Sequence, residues 1–154
     1  MIRLTGLRAP SGAALVWALL VPGPALRGAQ PPLQLSFSTA FAGVNAEGSS
    51  IWEGRLERPA GGALRLALQQ VESPEAAANP VWHVRTRWDV EPGAGSRAFV
   101  AVLEGMVDWK AGAAYLSGTI TSGWMKGAWI QSETRFVNGD ARGTLRVVSV
   151  LARH

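Results

Sequence analysis

Residues 97–131 read RAFVAVLEGMVDWKAGAAYLSGTITSGWMKGAWIQ, and the reading of this stretch decides the fold. It holds three strand-like runs of apolar and β-branched residues, separated by two turn-like segments, with glycine recurring inside the runs. A loop at Lys110 to Ala113 pairs Val107 with Leu116, Gly105 with Gly118 and Leu103 with Ile120. A two-residue Ser122–Gly123 turn then pairs Ile120 with Met125, Gly118 with Gly127 and Leu116 with Trp129.

The preceding run extends the pattern. Trp82, Val84, Thr86, Trp88 and Val90 alternate with Val81, His83, Arg85, Arg87 and Asp89, so one face is apolar and the other charged. A turn at Pro92 to Gly95 sets Trp88 opposite Phe99, Val84 opposite Leu103 and Trp82 opposite Gly105. Chaining the three registers places Trp82, Gly105, Gly118 and Gly127 in one row across four strands. Glycine inside a strand admits a close neighbour, here the Trp82 indole or a ligand.

Further out, Asn138–Gly139 is the strongest hairpin signal and sets Phe136, Thr134 and Ile130 against Ala141, Gly143 and Val147. Leu35, Phe37, Thr39 and Phe41 share a face of a first strand. Trp52, Gly54 and Leu56 mark a second, and Leu64, Leu66 and Leu68 a third. Residues 73–80 form the longest connection, with one helical turn expected at Glu75 to Ala78. One conflict stands: Met125 and Trp129 are odd-numbered while Ile130 and Phe136 are even. Either a β-bulge near Gly127 to Ile130 switches the parity, or the register there differs.

Eight short-looped runs in one domain predict an all-β fold, an eight-stranded antiparallel up-and-down barrel, with a β-sandwich as the runner-up. An outer-membrane barrel fits poorly, because its outer face would be apolar where these strands carry Arg and Glu.

Residues 1–29 read as a secretory signal peptide. Arg3 and Arg8 precede a nine-residue apolar run, Ala13 to Val21; Pro22-Gly23-Pro24 ends it, and small residues at Gly23 and Ala25 or at Gly28 and Ala29 fit cleavage. The run is well short of the roughly 20 residues of a membrane-spanning helix. The barrel domain is then 30–154, and the expected location is the periplasm or the cell exterior. The formal charge of +4 falls to +1 when Arg3, Arg8 and Arg27 leave, since 12 basic residues then face 11 acidic ones. The remaining Arg residues alternate with acids, so no nucleic-acid partner is expected. The chain has no Cys, so packing alone must hold the fold.

Chemistry-bearing motifs are sparse. His83 and His154 are the only histidines, without carboxylates at ligand spacing, so neither a metal nor a cofactor is expected. The register above puts Glu104 across from His83, which reads either as an acid/base dyad or as a surface ion pair. Glu104 and Asp108, four residues apart on a strand, are about 13 Å apart, beyond the ~9.5 Å limit of paired-carboxylate glycosidases. Ala98, Val100, Val102 and Met106 share their face and would pack a second copy in a homo-oligomer.

Six of the seven tryptophans follow the leader. Trp52, Trp82, Trp88, Trp109 and Trp129 fall on the expected inner face, with Trp124 at a turn. They read as a pocket for a small hydrophobic or aromatic ligand, together with Gly105, Gly118 and Gly127, or as bulky rings filling a core. A carbohydrate-binding or interaction module is a third reading, which needs Trp82 and Trp88 exposed.

The segments Glu104-Gly105-Met106-Val107-Asp108-Trp109, Gly112-Ala113, Ser117-Gly118 and Gly123-Trp124-Met125-Lys126-Gly127-Ala128 resemble exported bacterial barrel proteins. More loosely, they are similar to the glycine-punctuated late strands of the allene oxide cyclase and dirigent superfamily. That resemblance spans about residues 97–147 and implies an eight-stranded barrel with an apolar cavity, in some members a cyclase or a director of radical coupling. The motifs are structural, and no catalytic residue carries over position by position.

Overall fold

The computed structural model describes residues 32–70, 72, 80–93 and 97–148. The proposed leader, the helical turn expected at Glu75 to Ala78, and His154 lie outside the described residues. The strands are β1 (Leu33–Val44), β2 (Ser50–Leu56), β3 (Gly62–Gln70), β4 (Val81–Pro92), β5 (Phe99–Asp108), β6 (Ala113–Gly123), β7 (Trp129–Val137) and β8 (Asp140–Val148). Each pairs antiparallel with the next, and β8 closes onto β1 from Leu33 opposite Val147 to Ala40 opposite Asp140. This is the closed up-and-down barrel, not the sandwich.

Strand alternation produces the closure. Leu35, Phe37, Leu64, Leu66, Val84, Trp88, Val90, Leu103, Val107, Ile120, Ile130, Leu145 and Val147 point inward and are buried. Large and small residues complement one another: Trp88 lies opposite Ala101 and Leu66, and meets Phe37 edge-on with ring centroids 5.3 Å apart. Among the described residues the buried polar ones are Thr39, Ser49, Thr86, Ser132 and Thr134, none ionisable. Trp88 Nε1 donates to Thr86 Oγ1 at 2.8 Å, and Thr86 Oγ1 donates to the Leu103 carbonyl at 3.1 Å. Thr39 Oγ1 donates to the Ala141 carbonyl, and Ser132 and Thr134 share a hydroxyl contact of 3.0 Å. These bonds satisfy polar groups that would otherwise cost about 1–3 kcal/mol each.

Three registers differ from those read in the sequence. Between β4 and β5, Trp82 opposes Val107, Val84 opposes Gly105 and Trp88 opposes Ala101, a slip of two residues. The cause is that β4 continues through Pro92, where it pairs with Gly62, and the loop starts later. Between β5 and β6, Leu103 opposes Gly118 and Gly105 opposes Leu116, again a slip of two, because the turn occupies 109–112. A bulge between Val100 and Ala101 absorbs one residue at the far end of that pair.

Between β6 and β7 the slip is three. Gly118 opposes Ile130, and Thr119 opposes Trp129. The Ser122–Gly123 turn is replaced by a longer one at Trp124 to Ala128, which needs left-handed backbone at Gly123 (φ 81°), Met125 (φ 58°) and Gly127 (φ 87°). An odd slip reverses inside and outside. It resolves the parity conflict by register, without a bulge at 127–130, and turns Trp129 outward, where it is 42% exposed.

The row of Trp82, Gly105, Gly118 and Gly127 therefore does not form. Neither an indole nor a ligand explains the in-strand glycines. A Cβ at Gly118 would lie 2.0 Å from the Val102 carbonyl oxygen, and at Gly105 2.2 Å from that of Tyr115. Gly54 and Gly143 are obstructed in the same way by the Ser38 and Glu133 carbonyls. What approaches each glycine is the backbone of the adjacent strand, the close approach needed where a barrel wall coils.

Candidate functional site

The two mouths of the barrel are built differently. At one mouth lie the β1–β2, β3–β4, β5–β6 and β7–β8 connections, closed by an array of rings. Phe41 contacts Trp52 at 5.3 Å, Trp52 contacts Phe136 at 6.0 Å, Phe136 contacts Trp109 at 5.3 Å, and Trp109 contacts Trp82 at 5.5 Å. Trp52 Nε1 donates to the Gly139 carbonyl at 3.2 Å, fixing the array to the Asn138–Gly139 turn. Trp109 Nε1 is the one buried side-chain donor without an acceptor among the described residues.

The structure thus brings Trp52, Trp82 and Trp109 together, with Phe41 and Phe136. Trp88 is apart from them at mid-barrel and fully buried, and Trp129 is on the outer wall. Burial of Trp88 removes the exposed tryptophan platform that a carbohydrate module required of it. Gly105 and Gly118 lie against neighbouring strands, and Gly127 is in the β6–β7 turn.

The opposite mouth holds a recess. Its volume is about 280 Å³, and it is lined by Leu33, Leu35, Pro59, Ala60, Pro92 and Trp124, with Gln34, Glu57 and Arg97 also on its wall. Two turns build it. In the β6–β7 turn, Gly127 N–H donates to the Ile120 carbonyl at 2.8 Å and Ala128 N–H donates to the Met125 carbonyl at 2.9 Å. This fold-back lays Trp124 and Met125 against the core, where the Trp124 amide donates to the Ala98 carbonyl and its ring lies 6.4 Å from Phe99. In the β2–β3 turn, Gly61 N–H donates to the Glu57 carbonyl at 3.1 Å, and Gly93 N–H in turn donates to that of Gly61. Pro59 and Ala60 are thereby held across from Trp124.

Arg97 stands over the Trp124 ring with its guanidinium carbon 5.6 Å from the centroid, a cation–π contact that fixes the indole. Alternation in strands reports faces and says nothing of turn side chains, so Trp124 carried no more signal in the sequence than its position at a turn. Pro59 carried no signal beyond its place in a turn, and Arg97 read only as the first residue of a strand.

The ionisable groups lie elsewhere. His83 opposes Met106, not Glu104, because of the two-residue slip. Glu104 instead opposes Arg85 and pairs with it at 3.5 Å, so the His83–Glu104 dyad does not form. Asp108 accepts a hydrogen bond from the Ala111 amide at 2.8 Å and fixes the β5–β6 turn. All three are on the outer wall. A depression of about 810 Å³ crosses the outer face of β2, β3 and β4, lined partly by Glu53, Arg65, Arg87 and Asp89. Four of its charges are matched, Arg65 with Glu53 at 3.3 Å and Arg87 with Asp89 at 3.0 Å, while Glu47 and Glu91 line it with no ion pair among the described residues. The hydrogen bond and charge of Asp89 hold the Arg87 guanidinium above its ordinary value.

Among the described residues no group of three or more His, Asp or Glu is placed to hold a metal ion. No family model, curated protein or solved structure matches the chain.

Proposed function

We propose that the protein is an exported barrel that binds a small hydrophobic or aromatic molecule at the Trp124 mouth. The observation carrying this reading is the recess itself. It is an apolar concavity left at one mouth of a barrel whose interior is filled by side chains and whose other mouth carries a chain of edge-on and tilted rings. Ligand sites are usually pre-formed apolar concavities with a few polar groups at fixed places, and occupy roughly 300–1,000 Å³ for drug-sized molecules. At about 280 Å³ this one suits a single ring or a short chain. Trp124 offers a flat face, held by Arg97 on one side.

The test is titration with 2-phenylethanol followed by the indole N–H resonances in nitrogen-edited spectra. The Trp124 resonance, assigned from Trp124→Phe, is expected to move most, while that of Trp88 stays fixed. Ala60→Trp, which fills the recess from the opposite wall, is expected to abolish the shift while the spectrum remains that of a folded barrel. Unchanged spectra across a panel of single-ring and short-chain compounds would overturn the reading.

A further inference from the structure

The outer wall carries a second feature, independent of the mouth. Closure of the barrel sets Arg142 of β8 opposite Ser38 of β1, and Ser38 opposite Arg55 of β2, so two arginines flank one serine on adjacent strands. On the other side Arg142 directly opposes Arg135 of β7. These residues alternate with buried Phe37, Thr39, Ala141 and Thr134, so their side chains project outward together. The β2–β3 turn adds Arg58. The result is a depression of about 640 Å³ lined by Ser38, Arg55, Arg58 and Arg142, with Leu56, Glu57, Gly61 and Gly62.

This clustering contrasts with the rest of the surface. On β2, β3, β4 and β5, Arg65, Arg85 and Arg87 each have a carboxylate within 3.5 Å. Here Arg55, Arg58 and Arg135 have no ion pair among the described residues, and Arg142 reaches Asp140 only at 4.0 Å. Like charges directly opposite on neighbouring strands oppose folding by some tenths of a kcal/mol, and closely set cations raise the local potential for anions. Guanidinium groups match tetrahedral oxyanions through paired N–H donors, and a serine hydroxyl between them adds a donor.

We infer that the Arg55, Arg58 and Arg142 depression is a binding site for a multivalent oxyanion, a phosphate or sulfate group carried by a ligand. Three arginines lining one depression suit a divalent group better than a carboxylate. The bound anion would offset the mutual repulsion of Arg55, Arg58 and Arg142 around the depression.

The intact chain is to be titrated at low salt with inorganic phosphate and, separately, with inorganic sulfate, following arginine Nε–H resonances. Those of Arg55 and Arg142 are expected to move together with one affinity, and Arg142→Gln to weaken binding about tenfold. Arg146→Gln removes the same charge from the same strand, about 13 Å away by strand rise and outside the depression. It is expected to stay within about twofold of the parent. Phosphate binding more tightly than sulfate assigns the site to phosphate esters; the reverse assigns it to sulfate esters. An equal loss in Arg146→Gln and Arg142→Gln would show a diffuse field and overturn the site, as would the absence of a saturable shift with either anion.

Discussion

Gly118→Ala tests the account of the barrel wall most directly. The added methyl would lie 2.0 Å from the Val102 carbonyl oxygen and 2.9 Å from the Leu103 Cα. An ordinary C···O approach is about 3.3 Å, so β5 and β6 must part by over 1 Å locally, against a strand spacing of about 4.8 Å. Overpacking of this kind costs about 1–3 kcal/mol, and weakening two ladder hydrogen bonds adds about 1 kcal/mol each. The expected destabilisation is therefore about 3–5 kcal/mol, or about 12–20 °C in Tm for a domain of this size. Gly127→Ala is the matched control. Nothing lies within 4 Å of its Cβ position, but φ is +87°, so only left-handed strain of about 1–2 kcal/mol applies. Urea unfolding monitored by tryptophan emission gives both values. If Gly118→Ala proves no worse than Gly127→Ala, the glycine is not there for strand approach and the reasoning fails.

Two further outcomes follow from the structure. Thr86→Val strands the Trp88 indole N–H inside the core and is expected to cost about 1–3 kcal/mol, whereas Trp109→Phe removes a donor that already lacks an acceptor and is expected to stay within about 1 kcal/mol of the parent; calorimetric melting of both separates them. For the leader, intact-mass analysis of the exported chain is expected to show loss of the residues up to Ala25 or Ala29, and recovery only of a chain beginning at Met1 would refute export by cleavage.

The parity of each error explains how much of the fold was legible. At β7–β8 the Asn138–Gly139 turn has only one length, with both residues in left-handed backbone, and the expected pairs Phe136–Ala141, Thr134–Gly143 and Ile130–Val147 all form. At β4–β5 and β5–β6 the registers differ by two residues from those the turn composition predicts, and a slip of two returns every side chain to its own face. Trp88, Val84, Leu103 and Leu116 were accordingly placed inside, and they are. At β6–β7 the slip was odd, and Trp129 changed sides. Inside and outside are thus robust to even errors in turn length, whereas a statement about which residues share a row is not. The row of glycines depended on three turn lengths at once and does not form, and the His83–Glu104 pair, which depended on one, is lost with it.

The same logic locates what sequence could not supply about the sites. Trp124 lines the mouth because the 124–128 segment folds back over the barrel, a conformation set by three left-handed residues and invisible to a period-2 reading. Arg55 and Arg142 are 87 positions apart in the chain, and each reads as a polar residue on the solvent side of its strand. They flank Ser38 only because β8 closes on β1 with Arg142 opposite that serine. A shift of two residues in that single pairing would leave the barrel closed and its core intact, but would set Thr144 or Asp140 beside Ser38 instead. The core constrains the closing register to an even class. The choice within that class is what brings the arginines together, so the anion site tests the β1–β8 register in a way that stability measurements cannot.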